Sequence, residues 1–250
     1  MTPVTDTACL VEVFSSIQGE GLYVGCRQVF VRLAGCNISC QYCDTTESFC
    51  VPEVAKIEQN SGKRDYLAIV NPVPVACLVD HIAGLFRSQH HSVSITGGEP
   101  LLQPEVVAAI GSLREKGFLI YLETNGTLPN ALDKVIGRID IVSMDFKLPS
   151  AMNGIEYWQQ HEQFLQIAVR SQPFVKVVLS DETTADEIMR TTELIKKVNP
   201  AIPLIFQPVT PTNGVLAVNP QKVLLWQQFA LNRLRDVRVI PQTHKMMGQL

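Results

Sequence analysis

Seven short runs of this chain are apolar on both faces of an extended backbone: QVFVRLA (28–34), SVSIT (92–96), FLIYLET (118–124), DIVSMDF (140–146), FVKVVLS (174–180), LIFQP (204–208) and VRVIP (237–241). A strand that meets water on one side alternates apolar with polar residues, so these runs predict strands covered on both faces, as in a parallel sheet under helices. Amphipathic stretches lie between them and predict helices over 76–89, 104–117, 131–139, 156–171, 184–198 and 220–234. Pro104 and Pro220 suit a first helical turn, Thr184 can cap ahead of Asp186 and Glu187, and Gly117 fits a helix C-terminus. Repeated strand–helix units require right-handed crossovers, which leaves a doubly wound sheet or a barrel. The expected fold is α/β: one domain over residues 1–250 with about six parallel βα units, wound either as a doubly wound sheet or as a complete or incomplete barrel. Residues 1–27 read as an N-terminal β extension, and residues 46–74 break the alternation and read as a partly irregular insertion.

Composition narrows the function classes. With 250 residues, 46% of them hydrophobic, the chain can bury one full core. A net charge of −3 gives no basic field to attract nucleic acid. No apolar run approaches the roughly 18 residues of a membrane span. MTPVTDTACL has neither a basic start nor a continuous apolar run, so no signal peptide is expected. A cytoplasmic, reducing compartment follows as the default, and there clustered cysteines more often bind metal than form disulfides.

Ligands of such folds bind at the carboxyl ends of the strands. AGCNISCQYCDTT (34–46) follows the first strand, GGEP (97–100) the second, TNGT the third and KLPS the fourth. The first of these loops holds Cys36, Cys40 and Cys43, whereas Cys9, Cys26, Cys50 and Cys77 are scattered and read as small buried or incidental residues. Three thiolates suit either of two sites. A structural zinc would need a fourth ligand from Asp44, a histidine or a distant cysteine. A [4Fe–4S] cluster would keep one iron open for a ligand.

The spacing C-x3-C-x-aromatic-C, with Tyr42 as the aromatic residue, together with GGEP after a strand, resembles the radical S-adenosylmethionine (SAM) enzymes. That resemblance implies a radical SAM core, a partial (β/α) barrel of about six parallel βα units, with a [4Fe–4S] cluster on Cys36, Cys40 and Cys43 and Tyr42 at SAM. SAM's amino and carboxylate groups would fill the fourth iron position, and one electron would split SAM to methionine and a 5′-deoxyadenosyl radical. Gly98 and Glu99 of GGEP would lie against SAM. FSSIQGEGLYVGCRQVFVRLAGCNISCQYCDT (14–45), ETNGT (123–127), FQPV (206–209) and VRVIPQTHKMMG (237–248) resemble the branch of this family that builds 7-deazapurines such as queuosine. The likeness runs from about residue 12 to 248. It implies a lyase that contracts 6-carboxy-5,6,7,8-tetrahydropterin to 7-carboxy-7-deazaguanine with loss of ammonia. A Mg2+ ion would sit on the substrate carboxylate and take Thr45 as a ligand.

On this resemblance Ile17, Gln18, Gly19, Glu20, Arg32, Thr96, Glu123, Gln242 and His244 are expected at the substrate, with Lys245 near the pocket. No protein side chain is expected as a catalytic group beyond the cofactor-derived radical. Arg32 stands in the apolar strand FVRLA and needs a partner, either the substrate carboxylate or a structural carboxylate. Asp145, Lys147 and Gln207 are expected at SAM. Relatives carry Ser-Pro-Lys at the fourth strand, whereas this chain has Asp145, Phe146 and Lys147, a departure that makes Asp145 a candidate for the ribose hydroxyls. Some relatives use the terminal carboxylate near the substrate, here that of Leu250. A flavodoxin or ferredoxin as electron donor and a homodimer are further implications. Two alternatives stay open on sequence: another radical SAM enzyme, such as a glycyl-radical activase, or a non-enzymatic zinc or iron–sulfur module.

Overall fold

A computed structural model describes residues 6–249; Leu250 lies outside the described residues. The elements run β1 (Thr7–Ala8), β2 (Leu10–Ile17), β3 (Arg27–Leu33), β4 (Val54–Glu58), β5 (Tyr66–Val70), β6 (Val73–Pro74), α1 (Val75–Leu85), β7 (Ser92–Gly97), α2 (Pro104–Gly111), β8 (Ile120–Thr124), α3 (Pro129–Val135), β9 (Ile141–Asp145), α4 (Trp158–Ala168), β10 (Gln172–Leu179), α5 (Ala185–Val198), β11 (Leu204–Pro208), α6 (Pro220–Leu231), β12 (Val237–Val239) and α7 (Thr243–Met247). The anticipated helix signals operate. Thr184 and Glu187 form a reciprocal capping box, Pro104 and Pro220 open α2 and α6, and Gly117 ends its turn at φ +83°.

Ten strands form one sheet in the order β12-β11-β10-β9-β8-β7-β3-β2-β4-β5. β3 and β7 through β12 are parallel, neighbour to neighbour. Each helix from α1 to α6 packs against the next in sequence. That succession places the helices on one face, so the sheet is singly wound, a partial barrel rather than a doubly wound layer.

The pleat then sorts side chains between two environments. Ile120, Leu122, Val142, Met144, Val175, Val177, Leu204 and Phe206 join the main core with helix residues such as Leu78, Val107, Leu132, Phe164 and Ile188. Their neighbours in sequence face the other way. Tyr121, Ile141, Phe174 and Ile205 form a small second cluster closed by Leu22 and Tyr23. One pleat further along each strand, Glu123, Ser143, Asp145, Lys176 and Gln207 line a cavity. A one-residue slip of β10 would exchange Val175 and Val177 for Lys176. Burial contributes about 1.5–3 kcal/mol per large apolar side chain, and an unpaired buried charge opposes folding strongly, so the register is well determined.

The 46–74 stretch is not mainly irregular. A 3-10 turn at Thr46–Phe49 leads to the antiparallel hairpin β4–β5, which extends the sheet beyond β2, and β6 pairs with β1. Its strands are short and β5 is an exposed edge, so neither shows the two-faced burial that marked the others. The N-terminal β extension is present as β1 and β2. No described helix is long and apolar enough to cross a membrane.

Candidate active site

The loop after β3 carries the three cysteines and rests on the turn after β7. Glu99 N–H donates to Gly35 O at 2.8 Å, and Gly35 N–H to Ser48 O at 2.7 Å. Gly97 adopts φ +146°, and a Cβ there would lie 2.1 Å from Leu33 O. A Cβ on Gly98 would lie 2.2 Å from Gly35 O and 2.8 Å from the Cβ of Cys36. Only glycines allow this close approach of two backbones. Behind the loop, Asn37 donates to Thr127 Oγ1 at 2.8 Å and accepts from Asn125 Nδ2 at 2.9 Å, which ties the cysteines to the TNGT turn.

Cys36, Cys40 and Cys43 line one wall of a cavity of ≈ 470 Å³. Burial pushes the thiols of Cys36 and Cys40 up, and the Lys147 ammonium partly opposes this at both. Tyr42 lines the same wall, and Lys147 Nζ lies 3.4 Å from its hydroxyl and over its ring. The other four cysteines are free, lie off this cavity, and none is fully buried; Cys50 is exposed. Among the described residues no three His, Cys, Asp or Glu side chains form a site for a single metal ion.

The floor is a line of buried charges. Lys147 Nζ lies 2.9 Å and Lys176 Nζ 3.0 Å from Asp145 Oδ2, and Lys176 also binds Glu20 Oε2. Burial alone would raise the Asp145 carboxyl, but the two ammoniums outweigh it and hold its pKa at about 2. Burial likewise opposes ionisation of Glu20, and Lys176 and Gln242 overcome it. Asp145 Oδ1 and Gln207 Oε1 are buried acceptors with no hydrogen-bond partner among the described residues. Both residues line the cavity.

The IQGEG loop and α7 form the opposite side. Gln18 Nε2 donates to Glu123 Oε1 at 2.7 Å and to Gln28 Oε1 at 3.0 Å, and its Oε1 accepts Glu20 N–H. Thr96 Oγ1 donates to Glu123 Oε2 at 2.7 Å. Gly19 packs so closely on His244 that a Cβ would lie 2.2 Å from its Nδ1. Gln242 donates to Glu20 and to Asp44, and Lys245 pairs with Asp44 at 2.8 Å. Arg32 Nε pairs with Glu12 at 2.8 Å, and its guanidinium lies over Phe14, which stacks on Phe30.

The expected residues therefore meet in one place, Ile17 and Thr45 included. Glu99 is the exception. It is wholly buried off the cavity, and its carboxylate accepts from Leu101 N–H, Thr124 Oγ1 and Asn125 N–H. Gln18 lines the cavity with both amide hydrogens engaged inside the protein. Lys176 escaped the sequence reading, although a lysine inside FVKVVLS gives the same signal as Arg32 inside FVRLA. Asp44, weighed there only as a zinc ligand, instead anchors α7.

These features fit a cluster and SAM. Three thiols share one wall, a glycine cradle lies beneath them, and two orphaned acceptors suit a donor-rich ligand such as a ribose. A partial (β/α) barrel with three cysteines after its first barrel strand and a glycine pair after the second defines the radical SAM class. The sequence pattern of the Radical SAM superfamily matches residues 31–195. Over 244 residues the chain is 46% identical to a 7-carboxy-7-deazaguanine synthase of Geobacter sulfurreducens, covering 96% of this chain and 97% of the relative. It is 36% identical to the one of Archaeoglobus fulgidus, covering 96% and 98%. The chain belongs to the 7-carboxy-7-deazaguanine synthase family of the radical SAM superfamily. The crystal structure of QueE from Escherichia coli shares the fold, with a TM-score of 0.60 at 22% identity over 94% of this chain and 93% of that one. Superfamily membership implies a [4Fe–4S] cluster and SAM.

Proposed function

We propose that this chain is a radical SAM lyase of deazapurine biosynthesis that converts 6-carboxy-5,6,7,8-tetrahydropterin to 7-carboxy-7-deazaguanine with loss of ammonia. The observation that carries the reading is the 46% identity to a named synthase across almost the whole of both chains. The geometry supports a role for each residue. Cys36, Cys40 and Cys43 would hold three irons and leave the fourth to SAM. Bound together, cluster and SAM supply hydrogen-atom abstraction from an unactivated carbon. Asp145 Oδ1 and Gln207 Oε1 would accept from SAM hydroxyl or amino groups, with Tyr42, Gly98 and Lys147 beside them.

Arg32 would meet the substrate carboxylate, its Nε already fixed by Glu12 so that the guanidinium edge is set in advance. Glu123 would accept from the guanidine-like edge of the pterin, with Thr96 and Gln18 holding its carboxylate in place. Glu20, Gly19, Ile17, Gln242 and His244 complete that wall, and Phe14 and Phe30 give it an apolar surface. Thr45 is the oxygen donor proposed for Mg2+, which prefers oxygen ligands and keeps several waters. The exposed Leu216, Leu224, Leu225 and Leu231 on and before α6 support a homodimer. A flavodoxin or ferredoxin as reductant and a cytoplasmic location complete the reading.

The test is anaerobic incubation of reduced, cluster-loaded protein with the carboxytetrahydropterin, SAM and Mg2+. Expected are many equivalents of the deazaguanine per SAM, with a Mg2+ response that disappears in Thr45→Ala. SAM cleavage without any deazaguanine would overturn the assignment.

A further inference from the structure

Lys176 occupies the middle of β10, between two valines that face the helices. Its own side chain is 10% exposed and turns into the cavity. The ammonium is shared by two carboxylates from separate parts of the chain. Asp145, at the end of β9, lies 3.0 Å away and connects through Lys147 to the cysteine wall. Glu20, in the loop after β2, connects through Gln242 to α7. The charges alternate as Glu20, Lys176, Asp145, Lys147, two negative and two positive, so the array is neutral. Without Lys176, Glu20 would keep only the amide of Gln242, and the two carboxylates would face each other across the gap. A buried ion array is poor evidence for stability, since apolar replacements often pack as well. Its use here is positional.

We propose that Lys176 is a positioning residue shared by the two ligand subsites: one ammonium fixes both Asp145, whose free Oδ1 is offered to SAM, and Glu20, which borders the pterin. The two subsites are thereby set relative to one another by a single side chain. The inference rests on the roles proposed above for Asp145 and Glu20.

The test measures equilibrium binding to cluster-loaded protein without reductant, so that no turnover occurs. Dissociation constants are taken for SAM alone and for the carboxytetrahydropterin in the presence of SAM. In Lys176→Met both constants should rise at least ten-fold while the cluster's visible absorbance is retained. Lys176→Arg should restore both to within about three-fold of wild type. Because Lys176 acts through its partners, K176M combined with Glu20→Gln should bind the pterin no more weakly than E20Q alone. K176M combined with Asp145→Asn should likewise bind SAM no more weakly than D145N alone. In K176M/E20Q no carboxylate is stripped of its cation, because Asp145 keeps Lys147, so this double carries the comparison if K176M alone does not fold. The proposal is overturned if either constant stays within two-fold in K176M, or if single effects multiply in the doubles. Wild-type protein that binds SAM and not the pterin would overturn the substrate reading, and the SAM arm would then decide the role of Lys176.

Discussion

Glu99 is the charged residue of GGEP, yet its contacts are internal. One oxygen takes Leu101 N–H and Thr124 Oγ1, the other Asn125 N–H. It therefore staples the turn after β7 to the turn after β8, directly behind the cysteine loop. Gln at this position keeps one acceptor oxygen, so at least one buried N–H loses its partner at a cost of about 1–3 kcal/mol. At 2–4 °C per kcal/mol for a chain of this size, Glu99→Gln should lower Tm by roughly 2–12 °C. Burial raises the Glu99 pKa from 4.5 to about 7 against the pull of those donors. A carboxyl raised on folding stabilises fully below its unfolded pKa and loses that contribution as pH rises through the folded one. The Tm gap between wild type and E99Q, followed by calorimetry on metal-free protein, should thus be widest at pH 5 and narrow toward pH 8; a gap that widens would contradict the assignment.

Among the elements, α7 bridges loops that are remote in sequence. Thr243 N–H donates to Gly19 O at 2.9 Å, and Lys245 pairs with Asp44. A hydrogen bond contributes about 1 kcal/mol and a half-exposed ion pair up to about 1 kcal/mol. Deleting residues 243–250 should therefore raise the KM for the pterin roughly ten-fold or more, while SAM binding changes less than three-fold. Equal loss of both would place α7 at the SAM subsite instead. The barrel strands and helices were legible in the sequence because burial on both faces leaves an unbroken apolar run. The β4–β5 hairpin was not, since YLAIV is the exposed edge strand, VAKIE beside it begins with alternating exposed and buried residues, and polar residues 59–65 separate them. Site residues at strand ends were legible for a topological reason, because loops there converge. The inward engagement of Gln18 was hidden, as it depends on Gln28 and, through it, on Ser92 far along the chain.

For the molecule as a whole, single winding is what makes the site. Helices cover one face of the sheet and build its core, so the other face is free to carry charges that no core would accept. A cavity of ≈ 470 Å³ is within the usual size of small-molecule sites. Apolar residues close one end of that face, and the three thiols stand at the other. The central proposal is that Cys36, Cys40 and Cys43 hold three irons of the cluster and leave the fourth to SAM. Mössbauer spectroscopy of protein loaded with enriched iron, before and after SAM is added, reads this directly. The account predicts that one iron of the four changes its isomer shift on SAM binding and the other three do not. Four irons indifferent to SAM, or a fourth protein ligand on the cluster, would contradict it.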